Sequence, residues 1–129
     1  MARANVHGKL YVSDVAISGA HTATVTSDNV TSPDAIALHL IIDVTAVAST
    51  PSVVPTIQGF DPTSGAYYDI LVGNAITTTG TTVLKVGLSI AASANAAAQD
   101  LIPVQWRVKM THADSDSITY TLAYNMTNH

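Results

Sequence analysis

From Ile36 to Val44 every second residue is a large aliphatic: Ile36, Leu38, Leu40, Ile42 and Val44 alternate with Ala37, His39, Ile41 and Asp43. A period of two separates apolar from other side chains only when the backbone is extended, because successive strand residues point to opposite faces. The same pattern returns at Val104, Trp106, Val108 and Met110, and again at Ile118, Tyr120, Leu122, Tyr124 and Met126. Strands with one strongly apolar face must bury it against another layer, so the chain has to close on itself as packed sheets.

Composition excludes the main alternative. There is no Glu among the nine acids, only 11% of the 129 residues are charged, and the β-branched residues Thr, Val and Ile are abundant. Long solvated helices need Glu, Lys, Arg and Gln on their surfaces, whereas β-branched side chains favour strands. One domain is expected from the length. The formal charge of −4 has the wrong sign for gripping a phosphate backbone, so nucleic acid is not expected as a partner. Without Cys there is no disulfide framework, thiolate nucleophile or thiolate metal site. The N-terminus lacks the apolar core of a signal peptide, and no stretch reaches the roughly 18 apolar residues of a membrane span, so a soluble, unexported protein with no membrane partner is expected. A mean hydropathy of +0.30 with so few charges is high for a small monomer, which points to surface buried against other subunits.

Along the chain, Val53 to Phe60 reads as a strand whose Pro55 belongs at an edge or a bulge. Asp61-Pro62-Thr63-Ser64-Gly65 has the turn chemistry to return it as Ala66 to Val72. After a polar turn at Thr77 to Gly80, Thr81 to Ile90 forms a strand with Leu84, Val86, Leu88 and Ile90 on one face, and Gly87 marks a bulge or a close backbone approach. Ala91 to Asp100 is the one helix-like stretch, good for two or three turns. Pro103 to Thr111 faces Val104, Trp106, Val108 and Met110 inward and Gln105, Arg107, Lys109 and Thr111 outward, and a turn at His112 to Ser117 joins it in a hairpin to the last strand. Weaker strands at Lys9 to Ile17 and Ala20 to Ser27 meet at Ser18-Gly19. The reading is an all-β, single-domain antiparallel β-sandwich of jelly-roll or immunoglobulin-like type over residues 19–129, preceded by an N-terminal arm over residues 1–18.

Candidate chemistry is sparse. His112, Asp114 and Asp116 are the densest polar cluster, yet the run lacks the third ligand, the Gly bend and the distal acid of a calcium loop, and it reads as a turn. His7, His21, His39, His112 and His129 are too scattered for a local metal pair, and a Ser–His–Asp arrangement around His39 would have no G-x-S-x-G elbow to activate its serine. No phosphate-cradling glycine loop occurs. No catalytic group, metal or cofactor is therefore expected. Tyr67, Tyr68, Phe60 or Trp106 could stack on a sugar, the reading of a carbohydrate-binding module. Arg107 and Lys109, outward on one strand, suit contact with acidic groups of a partner, as against ordinary solvation.

A resemblance adds to this. Leu40-Ile41-Ile42-Asp43-Val44-Thr45-Ala46, Thr50-Pro51-Ser52, Ile57-Gln58-Gly59 and Asp61 to Tyr68 are followed in order by Ala75-Ile76-Thr77, Gly80 to Leu84, Asp100-Leu101-Ile102-Pro103, Trp106-Arg107-Val108 and Thr111 to Tyr120. Over roughly residues 20 to 126 the sequence resembles small structural proteins of tailed bacteriophages and prophages, a group associated with capsid decoration, or cement. The resemblance implies a non-enzymatic virion protein on the outer capsid surface, assembled in the host bacterial cytoplasm. Its partners would be the major capsid protein and further copies of itself, as a dimer or trimer. A tail, neck or fibre subunit is the alternative within the virion. The arm would lie across a neighbouring subunit, with contacts expected from Arg3, His7, Lys9, Leu10 and Tyr11 and, in the domain, from Arg107 and Lys109.

Overall fold

A computed structural model of the chain describes residues 2–6, 9–32 and 34–128, with side-chain surroundings for residues 13–32 and 34–127. The described residues form β1 (Ala2–Val6), β2 (Lys9–His21), β3 (Val25–Thr26), β4 (Val30–Thr31), β5 (Ala35–Val47), β6 (Val53–Phe60), β7 (Tyr67–Val72), β8 (Gly80–Gly87), β9 (Ala97–Ala98), β10 (Gln105–His112) and β11 (Ile118–Asn128). They make two sheets, one ordered β1-β2-β11-β5-β8-β9 and the other β3-β10-β6-β7, with β4 also on β10. Every pairing is antiparallel except the short one between β8 and β9. The chain is an all-β sandwich.

The alternating residues fill the space between the sheets. Leu38, Leu40, Ile42 and Val44 of β5, Leu84 and Val86 of β8 and all five inward residues of β11 are buried, facing Val53 and Ile57 of β6 and Trp106, Val108 and Met110 of β10. Burying each large aliphatic side chain contributes about 1.5–3 kcal/mol, which is why the period-two segments decide the architecture. The Trp106 and Tyr124 rings, one from each sheet, meet edge to face at 5.2 Å. The Trp106 indole Nε1–H donates to Ser32 Oγ at 3.1 Å, so its one polar atom is satisfied in the core. The 61–65 turn closes as expected: Gly65 has φ 76°, its N–H donates to the Asp61 carbonyl, and the Asp61 carboxylate accepts from Thr63 N–H and Ser64 Oγ.

Several expectations are corrected. Ser18-Gly19 is no turn: β2 runs unbroken to His21, with Gly19 at φ 100° opposite Tyr120, so the boundary drawn at residue 18 falls inside a sheet strand. Ile17 is part of the core. β6, which carries Pro55, is an interior strand. A strand residue directs its N and its carbonyl to the same side. The Pro55 carbonyl accepts from Gly73 N–H just beyond the end of β7, so the missing N–H points at a gap in the ladder between Val72 and the Val53–Ile76 bridge. Residues 91–100 contain no helix but a turn, with Asn95 at φ 58°, and the two-residue strand β9. A helix of about ten residues is marginal alone, and pairing with the open edge of β8 prevails. β10 and β11 are not a hairpin but belong to opposite sheets, so residues 113–117 arch across the end of the sandwich. Leu88 and Val104, expected inward, lie beyond the strand ends and are 65% and 55% exposed. Gly87 does mark a close approach, since a Cβ there would sit 3.0 Å from the Ile36 carbonyl oxygen.

Candidate functional site

The outer face of the smaller sheet carries a connected row of polar side chains. Register sets Arg107 of β10 beside Gln58 of β6, and Gln58 beside Asp69 of β7. The Arg107 Nε–H donates to Gln58 Oε1 at 2.9 Å, and Gln58 Nε2 donates to Asp69 Oδ1 at 2.9 Å. The Arg107 guanidinium carbon lies 3.5 Å from the centroid of the Tyr67 ring, and Phe60 packs against the same ring at 5.2 Å. Tyr67 in turn donates its hydroxyl to Asn29 Oδ1 at 2.8 Å, in the segment between β3 and β4. Asn29 Nδ2 reaches Gln105 Oε1 at 3.4 Å.

This arrangement fixes the guanidinium plane in two ways at once. Stacking on an aromatic face is worth about 0.5–2 kcal/mol depending on desolvation, and the Nε bond removes rotation about the last torsion. The two terminal amino groups have no acceptor among the described residues. They form an end-on fork that matches a carboxylate, already oriented before any partner arrives. Lys109 lies on the same face of the same strand, opposite Thr56, and likewise has no hydrogen-bond or ion-pair partner among the described residues.

The expected contact residues thus fall in two places. Arg107 and Lys109 share the smaller sheet. Arg3, Lys9, Leu10 and Tyr11 belong to the β1–β2 hairpin at one edge of the larger sheet, where their backbones pair with Val12, Val6, Asn5 and Ala4. The side chains of those four, and His7 altogether, lie outside the described residues. Sequence reasoning found Arg107 but missed Gln58, Asp69 and Asn29, which are unremarkable in sequence and become neighbours only through strand register.

No protein-family model matches the chain. No curated protein matches it either. Among solved structures, one titled for infectious bursal disease virus, Gx strain, aligns with 92% of this chain at 12% identity and a TM-score of 0.40. The chain spans 29% of that protein's length, and neither fold nor function carries over at that overlap.

The remaining candidates have structural employment. Trp106 has no exposed surface on which a sugar could stack, and one face of Tyr67 is taken by Arg107. Tyr68 lies over Gly59, where an added Cβ would meet its ring at 2.5 Å, and remains 47% exposed, so among the described residues it is the sugar-stacking candidate most open to solvent. In the 112–117 loop, Asp114 Oδ1 accepts from Asp116 N–H, and Asp116 Oδ2 accepts from the N–H and hydroxyl of Thr50. His112 Nε2 is 3.1 Å from the Tyr120 hydroxyl, and His21 stacks on the Tyr120 ring at 5.0 Å. Burial, with His21 close by, holds the His112 imidazole below its ordinary value against the opposing pull of Asp114. Burial alone pushes the Tyr120 hydroxyl up to about 12. Among the described residues no helix is long and apolar enough to cross a membrane.

Proposed function

We propose that this protein is a non-enzymatic structural component of a virion: a decoration, or cement, protein that binds the outer surface of the major capsid protein lattice, stabilises the head and associates with itself. The observation that carries the reading is the pre-oriented Arg107 fork beside Lys109 on a sheet face. A rigid cation that needs no reordering on binding loses little entropy, which suits docking onto acidic groups of a folded protein. The resemblance of residues 20–126 to phage structural proteins favours the major capsid protein as the partner. Low overall charge fits a protein that gains avidity from many shallow contacts repeated over a symmetric lattice. In this reading the β1–β2 hairpin, with Arg3, His7, Lys9, Leu10 and Tyr11, reaches a neighbouring subunit.

The test is the affinity of purified protein for heads that lack it. Arg107→Ala removes a charge-assisted contact worth about 1.5–3 kcal/mol and should weaken binding by about 10- to 100-fold, with circular dichroism unchanged. Arg107→Lys keeps the charge but not the fork and should recover little of the loss. Undiminished binding by the alanine variant would overturn the assignment of this face. Rings or tubes formed by the protein alone, with no affinity for heads, would indicate a tail, neck or fibre subunit instead.

A further inference from the structure

The outer face of the larger sheet carries a pattern invisible in sequence. Ala123 of β11 stands opposite both Val15 of β2 and Ile41 of β5, and Ile41 stands opposite Val83 of β8. Val15, Ala123, Ile41 and Val83 therefore form one apolar row straight across four strands, with Val15 54% and Val83 37% exposed. On one side of it run Ser13, Asn125, His39 and Lys85, and on the other Thr121, Asp43 and Thr81, again in register. One flank thus carries a single cation, Lys85, and the other a single carboxylate, Asp43. Asp43 Oδ1 accepts from Thr81 Oγ1 at 2.7 Å, which holds the carboxylate on this face.

We propose that two copies of this chain pack face to face through this sheet, about a two-fold axis running along the Val15–Ala123–Ile41–Val83 row. The inference specifies the self-association proposed above and rests on that part alone; it stands whether or not the protein binds heads. A two-fold axis in the plane of an interface exchanges the two sides of the line along which it runs. The apolar row of each copy then covers that of the other, and the His39–Lys85 margin of one faces the Asp43–Thr81 margin of the other. An axis parallel to the strands would set each flank against its own kind, with Lys85 on the same side as the other copy's Lys85 and Asp43 on the same side as its Asp43. Charge complementarity therefore selects both the occupant, a second copy, and the axis.

The face is large enough. Four strands at about 4.8 Å spacing, each 8 to 13 residues long at about 3.4 Å per residue, present roughly 500 to 800 Å². A standard interface buries about 800 Å² on each partner. The outward side chains among the described residues are mostly Thr, Ser, Ala, Asn and Val, short enough for two sheets to approach to about 10 Å with their strands nearly aligned.

Sedimentation equilibrium of the full chain at micromolar concentration tests this. The wild-type protein should be a dimer whose thermal midpoint rises with concentration, and Ile41→Asp, which sets a charge in the middle of the row, should be a folded monomer by circular dichroism with a midpoint independent of concentration. Asp43→Lys and Lys85→Asp should each weaken the dimer by about tenfold, and the double reversal should restore it to within about threefold of wild type. Arg107→Ala should dimerise normally, which separates this face from head binding. A wild-type monomer throughout, or assembly indifferent to Ile41→Asp, would overturn the proposal. A double reversal no better than the singles would overturn the axis.

Discussion

Trp106 shows how far a single residue could be read in advance. Its parity on β10 marks it as inward, and it is fully buried. What parity could not supply is its partner, since Ser32 is 74 residues away in sequence. Trp106→Phe should cost about 2–4 kcal/mol in urea unfolding, combining lost volume with a buried Ser32 hydroxyl left without its donor. His112 gives a pH dependence of definite sign. Because its folded-state value lies below the ordinary 6.5, the unfolded chain takes up the proton first. The stability it contributes is present above about pH 6.5 and is lost as pH falls from there through the folded-state value. Urea midpoints should therefore be lower at about pH 5 than at about pH 7.5, and His112→Gln should flatten the difference. An equal slope in the variant would show that other groups are responsible.

At the scale of elements, legibility followed the strength of the local signal. Val53 to Phe60 appears with the expected bounds because its apolar run ends in a turn whose Pro and Gly leave few alternatives. Ala91 to Asp100 reads as a short helix, but alanine propensity is a weak force beside an unpaired strand edge, and the segment instead turns and pairs as β9. Ser18-Gly19 reads as a turn, yet a glycine at positive φ serves equally well within a long, bulged strand. That position yields a prediction: Gly19→Ala forces an L side chain into φ 100° and should destabilise by about 1–3 kcal/mol, read as a lowered thermal midpoint. The first strands make another. Removing residues 1–8 takes away β1 but leaves β2 paired with β11, so the shortened chain should fold and bind heads poorly. Removing residues 1–18 strips most of β2, including Ile17 of the core, and should destabilise the whole sandwich.

For the molecule as a whole, two packed sheets followed from alternation and composition, because burial of the period-two faces dominates the free energy. Which strand joined which sheet did not follow. β10 and β11 have equally apolar inner faces, and nothing local distinguishes pairing beside each other from packing across the core. The same ignorance of register hid both surface features, the Arg107 network on one sheet and the apolar row on the other. Their separation gives the molecule two outward faces of different character, one with the pre-oriented Arg107 guanidinium, the other an apolar row with Lys85 on one flank and Asp43 on the other. In the proposed role the first face would meet the shell and the second another copy of the chain.

The most direct measurement is co-sedimentation of the purified protein with heads that lack it, followed by thermal disruption of the shells. Saturable binding at a fixed ratio to the major capsid protein, with a disruption temperature raised by the bound ligand, is the predicted result. Heads that pellet without the protein, or bind it without any gain in thermal stability, would contradict the decoration role.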